Sequence, residues 1–288
     1  MSSHVLTSLH QRLPRMTPTE QRVGNFVMTD PGAVLTLTIT QLAAEAGTST
    51  GSVIRFCKAL GFPGYPEFRM AIAEGVGRDD QNRERFQISD SDVRPDDSVA
   101  DTIAKIAYHE AATIEQTARD LDLDALEAVA DRIVAARRID IYGTASSGLA
   151  GHDLQLKLHR IGFFAQCWTD QHLALTSAAI LGPDDVAIAF SHSGRTLEIA
   201  QAIDIARATG ATTVAITNFP TSPLAEKASL VLTTSANETL FRSGAMSSRI
   251  AQLALIDFLF VRIVQRVYDR MPANLRLTYD AIKDHRIV

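Results

Sequence analysis

Two short stretches of this chain combine glycine with several hydroxyl side chains: Tyr142-Gly143-Thr144-Ala145-Ser146-Ser147-Gly148 and Ser191-His192-Ser193-Gly194-Arg195-Thr196. Each follows an apolar β-branched run and precedes a helical pattern, so each reads as a strand–turn–helix junction. In an open parallel sheet, ligands sit at the carboxyl ends of the strands, where the strand order reverses. A helix N-terminus there offers unpaired N–H groups and positive dipole to an anion. The hydroxyls of Ser146, Ser147, Ser191, Ser193 and Thr196 add neutral donors, and Gly143 and Gly194 let the backbone approach closely. A phosphate monoester suits this set. Taken singly, each turn reads equally well as ordinary helix capping; two of them, on the first and third strands, point to a ligand.

Other phosphate chemistries fail on residue types. No Gly-Lys-Ser/Thr is present, which excludes a Walker loop. Gly143-x-Ala145-x-x-Gly148 lacks the middle glycine of a dinucleotide fingerprint, and Asp170 lies at loose spacing beyond the second strand. No cofactor is expected. Moving a proton between adjacent sugar carbons would need a base of tuned pKa. Glu238, His192, His152 and His172 are available for that role, with no pairing in sequence that makes a catalytic dyad. Glu238 and Arg242 precede the last helix, where they either line the ligand or pair with each other.

A second set of residues suits nucleic acid. Residues 39–58 (ITQLAAEAGTSTGSVIRFCK) match a helix-turn-helix in register. Ala43 stands where two crossing helices leave room for a methyl only. Gly47 stands where the turn needs positive φ. Val53 is a core position of the second helix, with Leu42, Ala46 and Phe56 completing the apolar face. The outward face then carries Ser49, Thr50, Ser52, Arg55 and Lys58. Such a helix lies in the major groove, where Arg55 can fork onto guanine or a phosphate and Lys58 adds charge near the backbone. Arg22 and Arg69 are further phosphate candidates. A helix–glycine–helix corner with a solvated polar face would look similar, but the cationic, hydroxyl-rich surface favours DNA.

The elements that must position these residues follow from local signals. Capping boxes at Thr17-Pro18-Thr19-Glu20 and Thr38-Ile39-Thr40-Gln41 open helices, and Gly47 and Gly61 close the second and third. Residues 77–94 are dense in charge and nearly free of apolar periodicity, which predicts a linker over 78–98 between a domain at 1–77 and another at 99–288. Helices are expected over Val99–Ala118 and Asp124–Arg137, the second opened by Asp124. Five β-like runs follow, at Ile139–Tyr142, Phe163–Trp168, Val186–Phe190, Thr213–Thr217 and Leu230–Thr233. Helical patterns separate most of them, which predicts an α/β domain with a five-stranded parallel sheet covered on both faces, flavodoxin-like and doubly wound. The last helix, Met246–Tyr268, carries a stripe at Ile250, Leu253, Ala254, Ile256 and Val261 that suits either the sheet or a partner subunit.

Composition sets outer limits. The 288 residues are 46% hydrophobic and 21% charged, with a net charge of −5, so any nucleic-acid footprint must be local. Cys57 and Cys167 lie far apart in apolar runs, which fits neither a zinc site nor a disulfide framework. No window approaches the ~18 uncharged apolar residues of a membrane span, and residues 1–14 lack a signal-peptide core. The cytoplasm is the expected location.

The Ser191-x-Ser193-Gly194-x-Thr196 turn, with the Gly143…Ser147 turn before it, resembles the sugar isomerase (SIS) domain. The stretch Gly47…Arg55-Phe56-Cys57-Lys58-Ala59-Leu60-Gly61-Phe62 resembles the helix-turn-helix of the RpiR family of transcription regulators. Together they cover nearly the whole chain in that family's order. The resemblance implies that Ser147, Ser191, Ser193 and Thr196 hold a phosphorylated sugar or sugar acid, and that the ligand alters affinity for operator DNA. It implies a bacterial regulator of carbohydrate metabolism working as a homodimer or tetramer. The chain departs from the family at Ala145, where a second glycine is usual, and at Ser146, where a small apolar residue is common. Two alternatives stay open: a sugar-phosphate isomerase with a helical N-terminal extension, and a regulator whose sensor has decayed to a dimerisation module.

Overall fold

The computed structural model describes residues 4–238, 245–269 and 271–281. Two compact units divide between Gln116 and Thr117.

In the first unit, α1 (His4–Arg12), α2 (Pro18–Thr29), α3 (Pro31–Thr36), α4 (Ile39–Glu45), α5 (Thr50–Ala59) and α6 (Tyr65–Phe86) contribute to one core. Their ends lie where local chemistry sets them. The Thr17 hydroxyl accepts from Glu20 N, and the Glu20 carboxylate accepts from Thr17 N at 2.9 Å. Thr38 and Gln41 repeat this at the start of α4. α4 stops at Gly47, which takes φ +60, with Thr48 N donating to Ala43 O at 2.8 Å and Gly47 N to Ala44 O at 3.0 Å. α5 stops the same way at Gly61, through Phe62 N to Cys57 O. These paired bonds satisfy carbonyls that a helix end leaves open. Behind the corner, buried Phe68 packs against the rings of Phe56, Phe62 and Tyr65. The Tyr65 hydroxyl donates to Leu37 O at 2.8 Å, which pins the approach to α4.

The segment expected as a linker has structure of its own. Residues 78–86 are the last turns of α6, which ends where Gln87 takes φ +56 and Ile88 N donates to Arg83 O. The charge density that hid the helix supports it: Arg83 pairs with Asp79 one turn before it at 3.3 Å, and Phe86 packs edge-on against Tyr108. The following loop folds over buried Lys105, whose ammonium donates to Asp92 O at 2.7 Å and to the Asp97 carboxylate at 2.9 Å. Lys105 belongs to α7 (Val99–Asp120), and the divide between the units falls four residues before that helix ends.

The second unit is an α/β layer structure. The strands are β1 (Arg138–Gly143), β2 (Ala165–Trp168), β3 (Asp185–Phe190), β4 (Thr212–Thr217) and β5 (Leu230–Thr233). All pair in parallel in the order β2-β1-β3-β4-β5. α8 (Leu123–Ala135), α9 (Ala145–Arg160), α13 (Met246–Arg266) and α14 (Met271–Asp280) share one core with the sheet. α10 (Gln171–Ala178), α11 (Leu197–Ala208) and α12 (Pro223–Lys227) share another. Strand alternation explains the two cores. Ile139, Ile141, Ile188 and Phe190 belong to the first, whereas Tyr142, Ala187 and Ala189 belong to the second. Asp140 is fully buried and accepts from Arg138 Nε at 2.8 Å and from the Ser177 hydroxyl at 2.5 Å, so its charge is paired and its oxygens are bonded.

Three helical details differ from expectation. α8 opens at Asp122, whose carboxylate accepts from Ala125 N at 2.9 Å, and not at Asp124. α13 turns Ser248, Gln252, Leu255, Leu259 and Ile263 inward, while Val261 of the expected stripe is exposed. α14 went unforeseen; it is tied to the sheet layer by Asn274, which donates to Ile161 O at 3.0 Å.

Candidate functional site

In the first unit, Ser49 caps α5, its hydroxyl accepting from Ser52 N. Thr50, Arg55 and Lys58 are exposed along the helix, as are Arg22 and Arg69. Ser52 corrects the expectation of an outward face: it is only 3% exposed. Its hydroxyl lies 3.1 Å from Ser49 Oγ and accepts from Arg55 Nη2 at 2.8 Å. Ser52 therefore cannot reach a base edge. It holds the Arg55 guanidinium from behind, one turn up the helix. Cys57, under the same helix, is buried and its thiol is pushed up to about 12 by that burial. It is a packing residue, not a nucleophile.

In the second unit, the strand order reverses between β1 and β3, and the two hydroxyl-rich turns leave the carboxyl ends of those two strands. A cap comparison distinguishes them from ordinary helix starts. Thr17, Asp30, Thr38, Ser49, Asp122, Asp170 and Ser222 each accept a bond from the first turn of the helix they precede. Thr144 before α9 and Thr196 before α11 make no such bond. The Thr196 hydroxyl instead lies 3.0 Å from that of buried Ser191. Both helices flanking the reversal therefore present first-turn N–H groups that no cap side chain has claimed.

The backbone of both turns is tightly constrained. At Gly194, φ is +63 and a Cβ would overlap the Ser222 hydroxyl, so only glycine fits. Gly194 N donates to Ser191 Oγ at 3.1 Å, which turns that hydroxyl's own proton elsewhere. At Gly143 a Cβ would stand 2.8 Å from Ser147 O. Ala145 takes φ +48, the left-handed region in which a side chain is strained. Ala145 thus holds a conformation that glycine adopts without strain.

An open circuit of hydrogen bonds runs along the strand ends. Asn218, directly after β4, donates its backbone N–H to His192 O at 3.0 Å. Its side chain accepts from Ala236 N at 2.7 Å and donates to Ala236 O at 3.1 Å. Two residues on, Glu238 Oε1 accepts from Ser248 N at 2.7 Å. One turn along α13, Gln252 Nε2 donates to Ser147 Oγ at 3.2 Å. The circuit brings together Ser147, the Ser191 turn and Glu238. Ser146 is half-buried beside Ser147, and Ser193 is exposed, its hydroxyl accepting from Arg195 N. His152 and His172 are exposed on α9 and α10. Arg242 lies outside the described residues.

Asn218 and Gln252 are functional candidates that the sequence reading missed. The available signals were a polar residue at a strand's carboxyl end and a lone amide in the apolar stripe of α13. The molecule also has a cleft of about 590 Å³ beside β2 and α10, floored by Arg138 and walled by Phe164, Trp168 and Leu173. It contains none of the turn residues. Among the described residues, no group of three or more His, Cys, Asp or Glu side chains could hold a metal ion, and no helix is long and apolar enough to cross a membrane.

Comparison with known proteins agrees with both halves. Residues 3–78 match the helix-turn-helix domain of the rpiR family, and residues 132–262 match the SIS domain. An HTH-type transcriptional regulator of Caldanaerobacter subterraneus subsp. tengcongensis is 36% identical over 283 residues, covering 98% of each chain. One from Haemophilus influenzae is 31% identical over 286 residues, covering 99% of each. Among solved structures, the Vibrio vulnificus NanR protein complexed with ManNAc-6P is 26% identical with a TM-score of 0.63, over 99% of this chain and 100% of that one. Similarity of this extent across both units places the chain in the RpiR family of helix-turn-helix transcriptional regulators carrying a SIS domain.

Proposed function

We propose that α5 reads operator DNA, and that a phosphorylated sugar bound between the β1 and β3 turns sets the affinity of that reading. The observation that carries the proposal is the pair of unclaimed helix N-termini at the strand-order reversal, lined by the hydroxyls of Ser147, Ser191 and Thr196. Two helix N-termini and several neutral hydroxyl donors stand at that reversal, which suits a dianionic phosphate. The likeness to a NanR protein solved with ManNAc-6P supports the same ligand class. The exposed face of α5 offers Arg55 and Lys58 only, so one copy would bind DNA weakly. A homodimer spanning two half-sites supplies the rest. Regulation is then linkage: a sugar phosphate that prefers one arrangement of the dimer shifts the population competent for DNA. The relatives are named transcriptional regulators, and an isomerase has no use for a groove-reading helix, which favours the regulator over the isomerase.

The test combines melting and DNA binding. A phosphosugar at a hundred times its Kd should stabilise the fold by about 2.7 kcal/mol. The same compound should change DNA affinity measured by fluorescence anisotropy. Replacing Ser191 and Ser193 together by alanine should abolish the response and spare DNA binding. Arg55→Ala should do the reverse. A response that survives the double serine variant would place the ligand elsewhere.

A further inference from the structure

We infer that Glu238 selects the effector: it accepts a hydrogen bond from a hydroxyl or amide N–H of the sugar and excludes phosphorylated sugar acids. The inference rests on the phosphate reading of the two turns given above. It starts from one unsatisfied atom. Glu238 Oε1 accepts from Ser248 N, but Oε2 is buried and has no hydrogen-bond partner among the described residues. A buried carboxylate oxygen without a donor is costly, and such atoms are normally paired. An absent donor is therefore part of the site's chemistry.

Geometry says whose donor it is. Ser248 and Gln252 are four residues apart on α13, so they lie on one helix face, roughly 6 Å apart along its axis. Ser248 anchors Glu238, and Gln252 anchors Ser147. Glu238 and Ser147 are thus both anchored on one face of α13, at positions one turn apart. Both anchoring residues are buried. Glu238 is also held from its other side, because Ala236 is bonded twice to Asn218.

The chemistry of that oxygen decides between ligand classes. A carboxylate accepts and does not donate. It pairs with an alcohol or an acylamino N–H and repels a second carboxylate brought close in a water-poor site. Sugars and sugar acids of equal length and equal phosphate position are thereby told apart at the end remote from the phosphate.

The experiment is isothermal titration of the full chain with matched pairs, glucose 6-phosphate against 6-phosphogluconate and ribose 5-phosphate against 5-phosphoribonate. Inorganic phosphate serves as the reference, and all are repeated on Glu238→Gln. The glutamine retains the acceptor for Ser248 N, so the fold is kept; an unchanged Tm of the variant without ligand verifies this. For at least one pair, the aldose phosphate should bind more than tenfold tighter than its acid. The variant should shrink that gap to under threefold, mainly by improving the acid. Acids that bind as well as aldoses, or a gap that Glu238→Gln leaves unchanged, overturn the role of Glu238 while the phosphate site stands. If neither phosphate nor any phosphorylated compound binds, the phosphate reading falls and this inference with it.

Discussion

Gln252 Nε2 donates to Ser147 Oγ across 3.2 Å, joining the last long helix of the α/β unit to the turn after its first strand. Gln252 is 1% exposed, so the bond is not exchanged freely with water. A hydroxyl that accepts from Gln252 has its own proton left to donate.

Removing that amide should therefore weaken phosphate binding without disturbing the fold's boundaries. Gln252→Met keeps the volume and loses the donor. The expected cost is about 1 kcal/mol, roughly fivefold in Kd. Titration with inorganic phosphate measures it. An unchanged Kd would show that Ser147 takes no part in holding the anion.

Ser52 and Arg55 make a second separable pair. Ser52→Ala removes the hydroxyl that holds the guanidinium but leaves the helix cap at Ser49 in place. Affinity for operator DNA should fall by about fivefold, the worth of one charge-assisted bond (~1 kcal/mol). Affinity for random duplex, set by total charge, should stay unchanged. Equal losses on both duplexes would mean that Arg55 contacts the backbone only.

The turn after β1 stores strain at Ala145. Ala145→Gly relieves a left-handed alanine, worth ~1–2 kcal/mol, against an entropic cost of ~0.5–1 kcal/mol. Net stabilisation of up to about 1 kcal/mol is expected in urea denaturation. Gly194→Ala is expected to do the opposite and to abolish ligand binding, because its Cβ has no space beside Ser222.

A pH signature comes from the clamp between α8 and α13. Arg262 and Arg266 both donate to the Glu127 carboxylate, at 2.6 Å and 2.5 Å, and hold its pKa near about 2 against an ordinary 4.5. The folded value is the lower one, so the stabilisation is fully present above pH 4.5 and disappears as pH falls through 2. The Tm difference between wild type and Glu127→Gln should be constant above about pH 5.5 and vanish near pH ~1. A difference that persists at that pH would assign the effect to packing.

Much of this architecture is written in short-range chemistry. The capping boxes at Thr17 and Thr38, the left-handed glycines Gly47 and Gly61, and the β-branched strand runs each act over a few residues. The helix-turn-helix and the two strand–turn–helix junctions were legible for that reason. The extent of α6 was not: its last turns are charged all round and lack the apolar stripe that marks a packed helix. Asp122 and Asp124 are both competent caps, and only the path of the chain out of α7 chose between them.

The sequence by itself determined which residue types stand at the strand ends and along the second helix of the helix-turn-helix, because strand and helix periods fix those positions locally. Only the tertiary structure decided that Ser52 faces inward to hold Arg55. It alone brought Asn218 and Gln252, 34 residues apart in sequence, onto the same ring of strand ends. It alone left one oxygen of Glu238 buried without a donor among the described residues. These are through-space relations among side chains whose elements are set side by side by sheet order and core packing, and no local pattern encodes them.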